Sequence, residues 1–281
     1  MTRHMAPDWA AARSEKWRRQ LAGLEAMLAP IDDPLFAGLA ITDRVRIADV
    51  ACGSGTTTID VLRRAPAGSV AHGFDLSPAL IDVARRRQGG QDTSVAFDVA
   101  DMQTASPPEL PYERLMSRLG VMFFADPAAA FANLRRWLVP GGRFAFAVWG
   151  PVEDNTWMAA TRAAVAEFAE LPPVDPSTPG PFRYADVTVL HSLLSRAGFV
   201  ELTASDWRGT LPIGSSLPAQ EAAHFALAAF SSFAEVLAAA GARAFAGAHH
   251  TLAARFAPYE QEGVVRMPAR VHIVSGRSLE P

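Results

Sequence analysis

Cysteine and lysine are almost absent from this chain of 281 residues, and each absence excludes a class of chemistry. Cys52 is the only cysteine, which excludes disulfide frameworks, paired-cysteine redox motifs and cysteine zinc cages. Lys16 is the only lysine, and no glycine precedes it, so a phosphate-binding P-loop is excluded. No histidine and glutamate spacing typical of zinc hydrolases occurs either. The sequence therefore predicts no metal site.

The chain also lacks a strong charge of either sign and lacks long uninterrupted apolar runs. Its net charge of −3 gives no reason to expect nucleic acid or an anionic membrane as a partner. The first residues contain Asp8 and no apolar segment, so no signal peptide is indicated. The most apolar window, Ala222–Gly241, is interrupted by polar residues and fits a buried helix face better than a membrane span. Its large apolar side chains recur at helical spacing: Phe225, Phe230, Phe233 and Leu237. We therefore expect a cytoplasmic protein without stable membrane insertion.

Apolar residues make up 49% of the chain and charged residues 20%, a balance typical of a globular protein. Between residues 44 and 150, short apolar strands alternate with helices. The predicted strands, including two later ones, are Val45–Ala51, Ser69–Asp75, Ser94–Asp98, Arg114–Leu119, Arg143–Trp149, Phe199–Trp207 and Arg270–Ser275. The predicted helices are Asp8–Leu28, Thr56–Arg64 with threonines placed to cap it, Ser77–Arg87 with Ser77 as its cap, Asp126–Leu138 and Asp186–Ala197. This alternation predicts an α/β fold with a doubly wound, mostly parallel, seven-stranded Rossmann-like sheet and helices on both faces.

Composition changes along the chain suggest four segments. We expect residues 1–30 to form an N-terminal helical lid and residues 31–150 to form the α/β core. Residues 151–185 are rich in proline, which cannot continue a sheet. Residues 186–281 complete the sheet and carry a helical insert, 209–262, rich in alanine and phenylalanine. The lid and this insert are predicted to form a helical cap.

The most informative motif is Ile47–Gly55, IADVACGSG, a predicted strand that runs into a glycine turn and a helix. Such a turn lets the backbone approach a nucleotide-type ligand closely. A dinucleotide fingerprint would need a third glycine where Thr58 stands, and the Asp49 carboxylate would repel a pyrophosphate. An acid beside a glycine turn suits a nucleoside that carries an ammonium group, such as S-adenosylmethionine.

With this motif the chain resembles the class I S-adenosylmethionine-dependent methyltransferases, and within them the bacterial small-molecule group related to the ubiquinone and menaquinone methyltransferases. The resemblance covers about 110 residues. Its elements are the glycine turn, the second-strand acid Asp75, the third-strand acid Asp101, and the segments Ser117–Pro127 and Leu134–Arg143. Ala26–Pro30 and Gly180–Phe182 are similar more weakly. Two departures are Ala51, where the family usually has glycine, and Tyr112–Glu113, where Phe-Asp is usual.

The resemblance implies roles for residues at the ends of the predicted strands. Asp75 would accept the ribose hydroxyls, and Asp101 with Met102 would read adenine, with Asp98 as the competing acid. Ser117 and Arg118 would line the methionine part, and Cys52 is interpreted as a buried small residue. The full predicted cofactor site is Asp49, Ala51, Cys52, Gly53, Gly55, Asp75, Leu76, Asp101, Met102, Ser117 and Arg118.

No catalytic base is evident in the sequence. Some relatives have a histidine after the fourth strand, whereas this chain has Met122 and Phe123 there. The predicted function is therefore O- or C-methylation of a small, hydrophobic organic acceptor, with nucleic acid disfavoured and homodimerisation open. Two alternatives stay open: a protein of the same fold that binds the cofactor without methyl transfer, and a nicotinamide-dependent oxidoreductase.

Overall fold

The computed structural model describes residues 20–90, 93–173, 175–229 and 231–279. These residues divide into two compact units. The core unit comprises residues 31–90, 93–150, 175–207 and 271–279. The helical unit comprises residues 20–30, 151–173, 208–229 and 231–270.

One sheet of eight strands contains all the strands of the described chain. The strands are β1 (Arg46–Val50), β2 (Val70–Asp75), β3 (Val95–Val99), β4 (Tyr112–Arg118), β5 (Leu138–Trp149), β6 (Phe199–Pro212), β7 (Glu260–Gln261) and β8 (Val264–Ser278). The order is β3-β2-β1-β4-β5-β8-β6, and β7 pairs with β8 off this path. The pairs from β3 to β5 are parallel, and β8 runs antiparallel to β5. The predicted doubly wound, mostly parallel α/β sheet is thus confirmed, with the two-residue β7 as an addition to the seven predicted strands.

Ten α-helices accompany these strands in the described ranges. They are α1 (Leu21–Leu28), α2 (Asp32–Leu39), α3 (Thr56–Arg64), α4 (Pro78–Gln88), α5 (Pro127–Trp137), α6 (Thr156–Ala166), α7 (Val187–Arg196), α8 (Ala219–Ala229), α9 (Ser231–Ala240) and α10 (Ala242–Phe256). The predicted Ser77 cap is confirmed, because its side chain accepts a hydrogen bond from the Leu80 amide. The first part of the predicted Asp8–Leu28 helix lies outside the described residues.

Three of the predicted strands were too short by at least five residues each, while the boundaries of the other four differ by at most two residues. β5 begins at Leu138, before the predicted Arg143, and includes Pro140 and Gly141, although Gly141 has a φ of 71°. β6 continues to Pro212, so the insert predicted to be helical from residue 209 begins as a strand. β8 begins at Val264, before the predicted Arg270. Proline and glycine weaken a strand signal in sequence, but hydrogen bonding to a neighbouring strand overrides it.

The central strands of the core unit are buried on both faces, as parallel strands covered by helices must be. Ile47, Ala48 and Val50 of β1 are fully buried, and β5 is buried continuously from Phe144 to Val148. This apolar core fixes where β1, β2 and β4 end. It therefore fixes the positions of the polar residues that follow them.

The helical unit buries the apolar face that the sequence predicted. Phe225, Phe233 and Leu237 are buried, while Phe230 lies outside the described residues. Within the described ranges no single helix has the length and apolar character needed to cross a membrane. The two apolar helices Ala219–Ala229 and Phe233–Ala240 reach that length only as a pair, and they meet at an angle of 96°.

Candidate functional site

The glycine turn after β1 holds the backbone in conformations that favour glycine. Ala51, Gly53 and Gly55 have φ values of 57°, 57° and 82°. A Cβ on Gly55 would lie 2.5 Å from the ring of Phe97, so only glycine fits there. A Cβ on Gly53 would meet nothing within 4 Å. The turn is therefore packed against the core at Gly55 and open to a ligand at Gly53.

Asp49 is a buried carboxylate with one oxygen satisfied and the other not. Its Oδ2 accepts hydrogen bonds from the hydroxyls of Thr57 and Thr58, each at 2.7 Å. Its Oδ1 is buried and has no hydrogen-bond partner among the described residues. Burial raises the pKa of Asp49 to about 6, although the two threonine hydroxyls and Arg118 lower it. A buried oxygen of this kind is costly unless a ligand satisfies it.

The two threonines correct one prediction. They were expected to cap α3, but Gly55 is the N-cap residue, and no side-chain hydrogen bond caps this helix. The hydroxyls of Thr57 and Thr58 point to Asp49 instead. Sequence alone gives no means to tell these uses apart, because Ser and Thr at a helix start serve either.

Asp75 ends β2 and holds the glycine turn in place. Its Oδ2 accepts a hydrogen bond from the Gly53 amide and its Oδ1 one from the Ser77 amide, both at 2.9 Å. Burial raises the pKa of Asp75, while these backbone amides lower it. The next residue, Leu76, is 53% exposed, which is unusual for a large apolar side chain. Asp75 and Leu76 thus border the same turn as Asp49.

The structure distinguishes the two acids that competed for the adenine position. Asp98 is exposed, and its Oδ1 pairs with Arg85 of α4 at 3.2 Å. Asp101 is half-buried, and its Oδ1 accepts hydrogen bonds from the backbone and side chain of Gln103. Beside it, Met102 is buried. This geometry supports Asp101 over Asp98 as the candidate for ligand binding.

Ser117 and Arg118 end β4, and both side chains are already engaged. The Ser117 hydroxyl donates to the Val50 carbonyl at 2.7 Å, which ties β4 to the end of β1. Arg118 donates from Nη1 to Oδ1 of Asp32 at 2.8 Å, and both side chains are largely buried. Desolvation raises the pKa of Asp32, which Arg118 opposes. Arg118 is also close enough to lower the pKa of Asp49.

Cys52 lies in the turn with its thiol turned to the core, where the thiol donates a long hydrogen bond of 3.8 Å to the Gly53 carbonyl. Its thiol packs in a buried cluster with Ile81, Ala84 and Phe97, and burial raises the pKa of this thiol well above its usual range. The interpretation of Cys52 as a small core residue agrees with this position. The neighbouring methyl group of Ala51 faces Gly120.

The predicted site residues from β1, β2 and β4 therefore meet at the carboxyl ends of their strands, where parallel sheets bind ligands. Sequence reasoning missed the residues that hold them: Thr57, Thr58, Asp32 and Gln103. Asp32 lies 86 residues from Arg118 along the chain, and no local pattern signals such a pair. No group of three or more His, Cys, Asp and Glu side chains able to hold a metal ion occurs within residues 20–90, 93–173, 175–229 and 231–279.

Asp49 and Arg118 together match the ammonium and carboxylate groups of an amino acid. Asp49 offers a buried, unsatisfied anionic oxygen, which suits an ammonium group. In the described part of the chain, Arg118 bonds through Nη1 alone, which leaves its other nitrogens for a carboxylate. The open space at Gly53 and the exposed Leu76 add room and an apolar surface beside them.

Comparisons with known proteins agree with this geometry. Residues 47–142 match the family described as "Methyltransferase domain". The demethylmenaquinone methyltransferase of Deinococcus radiodurans is 30% identical over 117 residues, which cover 42% of this chain and 48% of that protein. The chain spans about half the length of the curated relatives that it matches.

Solved structures show the same fold. The YcgJ protein of Bacillus subtilis is 14% identical, with a TM-score of 0.58, and the alignment covers 89% of this chain and 98% of that one. The [4+2]-cyclase SpnF is 17% identical, with a TM-score of 0.53 and coverage of 90% and 82%. Residues 47–142 are thus similar to the methyltransferase domain family, and the strand order and the glycine turn of this part of the chain agree with the predicted resemblance to the class I S-adenosylmethionine-dependent methyltransferases.

Proposed function

We propose that this chain transfers the methyl group of S-adenosylmethionine to a small, hydrophobic organic acceptor, at oxygen or carbon. The observation that carries the proposal is the buried Oδ1 of Asp49, which lacks a partner in the described chain and belongs to the strand that leads into the open turn at Gly53. A buried anionic oxygen of this kind is stabilised by a cationic ligand group, and the cofactor brings an ammonium.

The amino-acid end of the cofactor would be bound by two opposite charges. Asp49 would accept hydrogen bonds from the ammonium, and Arg118 would donate to the carboxylate. Arg118 is held by Asp32, so its guanidinium is fixed before the ligand binds. Charge-assisted hydrogen bonds are worth about 1.5–3 kcal/mol each, which makes this pair the main source of affinity at that end.

The adenosyl end would lie along β2 and the loop after β3. Asp75 has two carboxylate oxygens, and each accepts one backbone hydrogen bond and can accept another from a ribose hydroxyl. Leu76 and Met102 would pack against the adenine ring, and Asp101 would accept a hydrogen bond from its amino group. Ala51, Cys52, Gly53 and Gly55 would contribute backbone rather than side chains, and Ser117 would keep β4 in register with β1.

The chain's own part in the reaction is positioning. The bound cofactor would supply an electrophilic methyl group: a nucleophile of the acceptor would bond to the methyl carbon as the carbon–sulfur bond breaks, with S-adenosylhomocysteine as the leaving group. Holding the two reactants near attack distance can supply about 7–11 kcal/mol of the barrier. The loop after β4 carries Met122 and Phe124, which are buried, and half-buried Phe123. An acceptor near this loop would meet apolar walls, which supports a hydrophobic substrate and a reaction that needs no strong base from this loop.

Isothermal titration of the purified chain with S-adenosylmethionine and with S-adenosylhomocysteine tests the proposal. We expect both to bind, and Asp49→Asn to weaken both, because an amide cannot offer an anionic oxygen to the ammonium. Asp98→Ala is the matched control, since this exposed acid pairs with Arg85 and should not affect affinity. Absence of binding by the unaltered chain would sink the proposal.

A second candidate is a protein of this fold that binds the cofactor without transferring its methyl group. The absence of His, Lys, Asp and Glu from residues 119–125 supports it, and the neighbour SpnF is described as a [4+2]-cyclase. Incubation with methyl-labelled cofactor and a library of small aromatic and isoprenoid acceptors separates the two. A labelled product establishes transfer, while substrate conversion with unlabelled product and intact cofactor establishes the alternative. The nicotinamide alternative has no support in this geometry, because Thr58 stands at the third glycine and bonds to Asp49.

A further inference from the structure

Gln103 hydrogen bonds to two residues that belong to different parts of the candidate site. Its backbone N–H and its side-chain Nε2 both donate to Oδ1 of Asp101, at 3.0 and 3.2 Å. Its Oε1 accepts a hydrogen bond from the Asp126 amide at 3.0 Å. The Gln103 side chain therefore joins the candidate adenine acid to the residue that begins α5.

These contacts allow only one orientation of the Gln103 amide. The carboxylate of Asp101 can only accept, and the Asp126 amide can only donate, so turning the amide over would break both bonds. Asp101 is consequently held through one oxygen. Its Oδ2 has no hydrogen bond within the described chain and remains available to a ligand.

Asp126 connects this contact to the loop after β4. It caps α5 by accepting a hydrogen bond from the Ala129 amide at 3.0 Å. The loop from Leu119 to Asp126 is also held from a second side, because the buried guanidinium of Arg183 donates from Nη1 to the Phe124 carbonyl. A displacement of the Gln103 side chain would therefore change the position of the Asp101 carboxylate and also that of this loop.

We propose that Gln103 is a positioning residue that fixes the Asp101 carboxylate for recognition of the adenine amino group and couples that recognition to the loop after β4. This inference rests on the proposed binding of S-adenosylmethionine. According to this inference, selectivity for adenine over other nucleobases depends on the hydrogen-bonded pair Asp101 and Gln103 rather than on Asp101 alone. A glutamine that only stabilised the local turn would affect all ligands equally.

Two ligands separate positioning from a merely structural role. S-adenosylhomocysteine presents an amino group to Asp101, whereas S-inosylhomocysteine presents a carbonyl oxygen, which a carboxylate repels. We expect the unaltered chain to prefer the adenosyl compound by about tenfold or more, the value of one hydrogen bond to a charged group. Gln103→Met keeps the length of the side chain and removes both of its hydrogen bonds, so this preference should fall by roughly fivefold or more.

Gln88→Met is the matched control, since Gln88 donates to the Val95 carbonyl at the opposite end of β3 and should leave the preference unchanged. Gln103→Ser provides the same comparison if the methionine variant does not fold. Amide hydrogen exchange gives a second readout. Exchange at Asp126 should slow on addition of S-adenosylhomocysteine in the unaltered chain and respond less in Gln103→Met.

The outcomes separate the inference from the proposed function. If the unaltered chain binds neither compound, the proposed function itself is wrong. If it binds the adenosyl compound and Gln103→Met weakens both ligands to the same degree, the positioning role is refuted while the function stands. An unaltered chain that binds both compounds equally also refutes it, because Asp101 then does not read the base.

Discussion

The methyl group of Ala51 fills the space in front of Gly120. A Cβ placed on Gly120 would lie 2.4 Å from the Cβ of Ala51 and 2.9 Å from the Oγ of Ser117. Ala51 is itself in the left-handed conformation, with a φ of 57°. These two positions share one small volume at the ends of β1 and β4, and only one of them can carry a side chain.

Moving the alanine side chain from position 51 to position 120 by substitution tests whether the two positions share one volume. Gly120→Ala should lower the free energy of unfolding by about 1–3 kcal/mol, because it overpacks the site. The left-handed conformation of Ala51 costs about 1–2 kcal/mol, and Ala51→Gly relieves this strain. Glycine also makes the unfolded chain more flexible, which offsets part of the gain. The double variant should recover part of the loss, and Ser117 limits the recovery. Urea unfolding of all four chains measures the coupling, and simply additive effects would contradict a shared volume.

The pKa of Asp49 predicts how stability changes with pH. Below its ordinary pKa of 3.8, Asp49 is protonated in both folded and unfolded chains and contributes no pH dependence. Between this value and about 6 only the unfolded chain ionises, so the free energy of unfolding falls as pH rises. Above the folded pKa both states are ionised and the loss is complete, at about 3 kcal/mol for a shift of this size. Asp49→Asn should abolish this part of the pH dependence in chemical unfolding.

Ligand binding should show the opposite pH trend at the same residue. The cofactor's ammonium requires the ionised carboxylate, so affinity for S-adenosylhomocysteine should increase as pH rises through about 6. Titration in buffers of different ionisation enthalpy should report proton release on binding near this pH. An affinity that is flat across this range would show that Asp49 does not contact the ammonium.

Asp75→Ala should weaken binding of S-adenosylhomocysteine at least about tenfold, because it would remove the two hydrogen bonds proposed between the ribose hydroxyls and this charged group. Asp75 also holds the Gly53 amide, so the melting temperature without ligand is measured alongside. A large loss of affinity with a small change in melting temperature supports the ribose role. Unchanged affinity refutes it.

Cys52 should resist thiol reagents in the folded chain and react only after unfolding. Its thiol is buried against Phe97, and burial raises its pKa, which lowers the fraction of reactive thiolate. A time course with a chromogenic disulfide, with and without denaturant, measures this difference. Rapid labelling of the native chain would show that the turn opens to solvent.

The sequence predicted the parts of this structure that local patterns determine. The alternation of strands and helices, the glycine turn after Asp49 and the Ser77 cap all follow from residues close together in the chain. The predicted start of a helix at Asp126 belongs to the same group, and in the structure the Asp126 side chain caps that helix. Each of these features is set by backbone conformation and hydrogen bonding within a few residues.

Contacts between distant residues were not predictable from one sequence. Asp32 and Arg118 are brought together by the sheet, and Gln103 reaches Asp126 across the loops. The extension of β6 and β8 also depends on pairing between strands rather than on propensity. The predicted segments 1–30, 151–185 and 209–262 as lid, proline-rich insert and cap insert stay predictions. The same holds for the cytoplasmic location and the oligomeric state.

The hydroxyls of Thr57 and Thr58 both donate hydrogen bonds to Oδ2 of Asp49. These two bonds also determine the direction in which Oδ1 of Asp49 points. The Asp49 carboxylate is therefore held in one orientation before a ligand binds. The entropy of ordering is lost when the chain folds, not when the complex forms, and preorganised acceptors of this type bind more tightly for the same number of contacts. Removal of either threonine hydroxyl would restore some rotational freedom to the Asp49 carboxylate of the unliganded chain, although neither hydroxyl would contact the ligand.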